Sequence, residues 1–157
     1  MPFVYDISLA TQGNLTTSGT PNTETDAMFV KAGTGRHVAF TEWNAIGKAA
    51  AATSITGIAF RARRYGTAST SGTSITPNPR DPGAQACKAT CASRPTAGST
   101  VLNRWVIGIG NGGPNGWWAP GPDHYLILES GAAHSYDVMD VSGVASQVYE
   151  FSAVIIE

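Results

Sequence analysis

Few residues in this 157-residue chain have the chemistry to act at a site: three histidines, eleven carboxylates and two cysteines. His37, His124 and His134 have no spacing that would put two of them on one helix face as metal ligands. Asp123 and His124 are adjacent, which on a strand sends them to opposite faces. A glycosidase pair needs two carboxyls about 5–10 Å apart across a cleft. Neighbouring strands could bring such a pair together, Glu42 with Glu129 for example, but nothing selects one pair over another. Cys87-Lys-Ala-Thr-Cys91 on an extended strand puts the thiols on one face roughly 13 Å apart, beyond disulfide reach. With no second cysteine pair there is no zinc site, and two small buried hydrophobes are the expectation. No G-x-S-x-G or Cys/His nucleophile signature is present. Gly108-Ile-Gly-Asn-Gly-Gly113 matches G-x-G-x-x-G, yet the dinucleotide reading needs a helix opening at the third glycine. Pro114 and the following Asn-Gly-Trp-Trp-Ala-Pro120 forbid one. The expectation is a protein that is not an enzyme, with no catalytic residue, no metal ligand and no cofactor.

Residues suited to contact with a partner stand out more clearly. Arg61-Ala-Arg63-Arg64 is the densest positive charge, and two of its members share a strand face. Trp117-Trp118-Ala-Pro-Gly-Pro122 sits in a run rich in glycine and proline. Two adjacent tryptophans cannot both enter one core. The segment reads as a cap on one end of the core, as a protein anchor, or as a platform for sugars. Trp117, Trp118, Arg61, Arg63 and Arg64 are the predicted partner-binding residues.

The elements that must position these residues are strands. Alternation or apolar runs predict strands over Phe3–Leu9, Ala27–Lys31, Arg36–Ile46, Ser54–Arg64, Thr73–Thr76, Ala84–Ala92, Arg104–Ile109, His124–Glu129, Ser135–Met139 and Val148–Ile156. Within Arg36–Ile46 the period puts Val38, Phe40 and Glu42 on one face and Ala39, Thr41 and Trp43 on the other. Gly13–Thr25, Gly66–Gly72, Pro77–Gly83, Arg94–Thr100 and Gly110–Gly121 read as loops. Lys48–Thr53, with four alanines, is the one place for a helical turn, and six residues are too few for a stable helix. The final strand runs to the end of the sequence, which predicts that it is paired in a sheet or with a neighbouring subunit. The pattern predicts an all-β fold: an antiparallel β-sandwich of about eight strands in a single domain spanning 1–157, with a jelly roll fitting better than a simple meander.

Composition describes the surface. Charged residues are 13% of the chain, against about 25% in an ordinary soluble domain. Formal net charge is −1, with Ser and Thr together contributing 30 residues. Spread over the surface expected for this mass, that is roughly one charge per 360 Å², about half the usual density. Such a surface is either a neutral Ser/Thr-rich exterior or one buried against copies of itself or a partner, since interface cores are depleted in charge. The balance argues against nucleic-acid binding, which needs a basic excess. No segment reaches the length of a membrane span, and Met-Pro-Phe-Val-Tyr-Asp at the start is unlike a secretory leader, so a protein made in the cytoplasm is expected.

In its leader-less start Met1-Pro-Phe-Val-Tyr-Asp6, its Ser/Thr/Gly/Ala-rich body and its close Gln147-Val-Tyr-Glu-Phe-Ser-Ala-Val-Ile-Ile-Glu157, the chain resembles the small jelly-roll capsid decoration (cement) proteins of tailed bacteriophages. The resemblance covers the whole chain and is one of style, without a diagnostic motif. It implies a structural virion protein made in the host cytoplasm and placed on the outer capsid surface. Such a protein would self-associate as a dimer or trimer, bridge major capsid protein subunits, and bind neither nucleic acid nor membrane. The alternative is a carbohydrate- or receptor-binding sandwich of a phage fibre or tail, with Trp117, Trp118 and His124 near its site.

Overall fold

The computed structural model describes residues 2–8, 15–18, 25–48, 58–110, 114–130, 133–140 and 145–157. They form thirteen strands: β1 (Val4–Ser8), β2 (Leu15–Ser18), β3 (Thr25–Lys31), β4 (Val38–Lys48), β5 (Ile58–Thr67), β6 (Thr73–Ile75), β7 (Asn78–Pro79), β8 (Thr90–Ser93), β9 (Ser99–Gly110), β10 (Pro114–Trp118), β11 (Leu126–Leu128), β12 (Ser135–Asp140) and β13 (Ala145–Ile156). Among the described residues a 3-10 turn, Pro122–His124, precedes β11.

Two antiparallel sheets result. The first runs β10-β4-β13-β1-β7, with β11 also on β4 and β2 also on β13. The second runs β6-β8-β3-β12-β5-β9. The all-β antiparallel sandwich read from the sequence is therefore the observed fold. Thirteen strands exceed the eight expected partly because one lateral position can hold two strands: β10 pairs residues 42–46 of β4, while β11 pairs residues 38–40 of the same strand.

The core is aromatic and belongs to both sheets. Phe60 of the second sheet meets Tyr149 edge-on at 5.1 Å and Trp43 at 5.7 Å, both from the first sheet. Trp43 stacks in turn on Phe151 at 5.6 Å and 17°. Such pairs contribute about 0.5–1.5 kcal/mol each beyond the area they bury. On β13, Tyr149, Phe151, Ala153 and Ile155 are all buried, as their alternation predicts. That strand is central, paired to β1 on one side and β4 on the other.

Several sequence expectations need correction. Phe40 and Trp43 share the buried face of β4, so the predicted alternation fails between them. The register against β13 shifts there: Ile155 faces Phe40 and Val154 faces Glu42, leaving Thr41 as an extra residue. This is a β-bulge, which reverses the inside-outside pattern beyond it. Leu15–Ser18, read as loop, is β2, because Leu15, β-branched Thr16 and Ser18 find partners in β13. Pro114–Trp118, also read as loop, is β10. Its proline occupies the first strand residue, where a missing N–H is tolerated. Ala84–Ala92 yields only the four-residue β8. His124 belongs to the 3-10 turn that Pro122 starts, rather than to a strand. The turn expected at Lys48–Thr53 lies outside the described residues beyond Lys48.

Phe60→Ala should cost about 3–5 kcal/mol, because the cavity would open between sheets that cannot close on it independently. Urea unfolding at constant slope would measure it; a loss below about 1 kcal/mol would mean the aromatic cluster does not hold the sheets together.

Candidate functional site

The predicted contact residues fall on different parts of the sandwich. Trp117 and Trp118 sit on β10, opposite Trp43 and Glu42 of β4. Their alternation sends Trp117 inward, where it stacks on Phe40 at 6.4 Å and 15°. Trp118 points outward and is 69% exposed. One indole thus caps the core, as one of the readings expected, and the other is exposed. A two-tryptophan platform for sugars is not formed.

Trp118 shares the outer face of the first sheet with a cross-strand apolar row. Ile127 pairs with Ala39, Ala39 with Ile156, and Ile156 with Val4, all with the outward parity of their strands. The adjacent row is Trp118, Glu42, Val154 and Asp6. Asp6 is held by Arg80 in a forked pair at 2.7–3.0 Å. This pair is half exposed and so contributes little to stability.

The three arginines lie on β5 but do not form one patch. Arg63 faces outward opposite Asp137 of β12 and is only 8% exposed. Arg64 takes the opposite parity, beside Tyr136 of the core. Arg61 and Arg64 are half-buried. A single exposed basic surface is absent because adjacent strand residues alternate and because Arg63 is covered.

The same face carries a feature the sequence reading missed. Residues 68–72, between β5 and β6, fold over the outer face of the second sheet. Asp137 is fully buried there and accepts hydrogen bonds from the hydroxyls of Ser69 and Ser135. The Ser69 amide donates to Ser135 Oγ at 3.1 Å, and the Gly98 amide donates to Ser69 Oγ at 2.8 Å. Thr70 and Thr96 exchange two backbone bonds. Burial pushes the Asp137 carboxyl up to about 6, while the Ser135 and Ser69 hydroxyls and the Arg63 charge pull it back. The polar run Gly66–Gly72 reads as an ordinary loop in sequence; only the pairing of β12 with β5 reveals its anchor.

Beside this clasp the same face opens into a cleft of about 630 Å³. Its floor is Phe29, Lys31, Thr90 and Ala92, on the outward faces of β3 and β8. Residues 69–72 form one wall; Gly33, Thr34 and Lys88 form the other. The walls are close-packed. A Cβ on Gly72 would meet the Ser93 carbonyl, and one on Gly33 would meet the Lys88 carbonyl. Ser71 and Gly72 both have positive φ, at 61° and 86°. A serine in that region is uncommon and marks a backbone held by its surroundings.

Both cysteines are free; Cys91 is buried as expected, Cys87 only half-buried, and burial pushes the Cys87 thiol up to about 12 and raises that of Cys91 as well. Thiols so protonated are poor nucleophiles. Glu42 hydrogen-bonds the Asn44 amide at 2.6 Å, and Glu129 is exposed beyond β11. His124 and Asp123 are exposed in the 3-10 turn. Among the described residues no group of three His, Cys, Asp or Glu side chains could hold a metal, and no helix is long and apolar enough to cross a membrane.

Gly72→Ala and Gly33→Ala should each destabilise the protein by more than about 1 kcal/mol, the larger effect at Gly72 where positive φ adds to the clash. Thermal melts of both variants test this; unchanged midpoints would mean the walls are not tightly packed. The clasp predicts a pH effect. Asp137 has a folded pKa above its usual 3.8, so its contribution favours folding at low pH, declines as pH rises from about 4 to 6, and is flat above. Relative to Asp137→Asn, the wild type should gain about 2 kcal/mol between pH 7 and pH 4. Parallel stability curves for the two proteins would contradict it.

No known protein family matches this chain, and no curated protein or solved structure matches it either.

Proposed function

We propose that this chain is a structural virion protein with a jelly-roll fold, a capsid decoration protein that stabilises a phage head by bridging major capsid subunits from the outer surface. The strand order carries the reading. Count β1 with β2 as one position and β10 with β11 as another, and set aside the short β6, β7 and β8. The chain then visits eight positions. The first pairs the eighth and the second the seventh, through β1/β2 with β13 and β3 with β12. The third pairs the sixth and the fourth the fifth, through β4 with β10/β11 and β5 with β9. Four strands out and four back, rolled into two sheets, is the jelly-roll plan that recurs in viral capsid domains and in lectins.

A fold does not set a function, so the surface must decide between those uses. The outer face of the first sheet carries Trp118, Ile127, Ile156, Ala39 and Val4 in adjoining rows. An exposed indole beside aliphatic side chains is the composition of a protein-contact centre. The low charge density of the chain points the same way. A protein that binds only the assembled shell stabilises it by mass action, and many identical weak contacts add through multivalency.

Native mass by light scattering across a concentration series, for wild type and Trp118→Asp, is the test. A dimer or trimer whose dissociation constant rises at least about tenfold in the variant supports the reading. A wild-type monomer at all concentrations, or an oligomer indifferent to Trp118→Asp, would remove this face as the contact surface.

A further inference from the structure

We propose that the cleft on the outer face of the second sheet, between residues 69–72 and the Lys88 rim, binds a short acidic oligosaccharide. The cleft is on the sheet opposite to Trp118, so the inference is independent of the contact surface described above.

Charge gives the sign of the ligand. The chain has one more acidic than basic residue, yet among the described residues the cleft has Lys31 and Lys88 and no carboxylate. Neither ammonium has an ion-pair partner among the described residues. Lys88 is exposed at the rim and Lys31 half-buried in the floor, so a ligand anion could meet both. An ammonium donates to a carboxylate or sulfate as a compact charge with three rotatable donors.

Side-chain chemistry gives the rest of the ligand. Five exposed hydroxyl side chains line the cleft, from Thr34, Thr70, Ser71, Ser74 and Thr90, while the buried Ser69 hydroxyl is taken up by Asp137 and the Gly98 amide. A hydroxyl both donates and accepts, and so does each hydroxyl of a sugar. Phe29 and Ala92 lie nearly buried beneath the floor, so the ligand would be met by polar groups rather than by a ring face. A volume of about 630 Å³ lies in the range of small-molecule sites and far exceeds a lone inorganic anion. A nucleic acid is a poorer fit, because two cations and one nearly buried phenyl ring offer no stacking platform.

The site is built before any ligand arrives. Ser69 is pinned to Asp137, Ser71 and Gly72 are held at positive φ, and Gly33 packs against the Lys88 backbone. A preformed wall lowers the ordering cost that a flexible polar loop would otherwise impose on binding.

Calorimetric titration with trigalacturonate as the probe tests the proposal, with maltotriose as neutral comparison and inorganic sulfate as free anion. Trigalacturonate should bind, with affinity falling as salt rises. Lys31→Gln and Lys88→Gln should each weaken it about fivefold or more, whereas Arg94→Gln, an exposed cation outside the cleft, should not. Unfolding midpoints of the variants verify their fold, and the exposed Lys88 keeps the test open on its own. No binding of trigalacturonate at millimolar concentration would overturn the proposal. So would binding indifferent to both lysine substitutions, equal binding of maltotriose, or sulfate binding as tightly as the trisaccharide.

Discussion

Phe60 is the contact on which the two sheets depend. It projects from β5 into a cup made by Trp43, Tyr149 and Phe151 of the opposite sheet. Each sheet alone has one apolar face that water would solvate at a cost of about 25 cal/mol per Å². Only face-to-face packing removes both, and an aromatic that spans the gap sets how the faces align. The arrangement has a cost: the Trp43 indole N–H is buried without a hydrogen-bond partner among the described residues. A buried unpaired donor costs about 1–3 kcal/mol. The ring contacts of Trp43 with Phe60 and Phe151 must more than offset it.

Given that core, the outer faces are free to differ, and they do. The first sheet turns Trp118 and a cross-strand row of aliphatic residues outward. The second is partly roofed by its own chain. The segment from residue 68 to 98 leaves β5, covers Asp137, adds β6 to one sheet, adds β7 to the edge of the other beside β1, and returns as β8. Tyr5 ties this excursion to the core through the Gln85 carbonyl at 2.8 Å, and the Glu157 carboxylate accepts from the Lys88 amide at 2.8 Å. One excursion therefore closes an edge of the sandwich and shapes a cleft.

Buried Asp137 is the hinge of that second role. A carboxylate removed from water is destabilising unless its oxygens are satisfied. Here two serine hydroxyls, one from β12 and one from the covering segment, meet the two oxygens. The interaction works as a fastening more than as a source of stability. Its physical content is position: residues 69–72 stand where they do because Ser69 has a partner beneath it.

Much of the fold was legible in the residues because strand periodicity is local. The buried set on β13 and the inward faces of β1 and β5 follow from alternation with a period of two. Low charge, and that two adjacent tryptophans could not both enter one core, were equally readable. What failed locally were the places where a partner strand overrides propensity: the bulge at Thr41, the short β2 and the strand carrying Trp117 and Trp118. The arginines on β5 were visible as a cluster divided between two strand faces by alternation, but the burial of Arg63 was not. The cleft was invisible altogether. Its lysines are 57 positions apart, and its wall comes from a third segment. Sequence alone determines which residues seek the interior of a sheet; the pairing of sheets and the path of the long excursion decide which polar residues meet, because those contacts join segments with no local signal of each other.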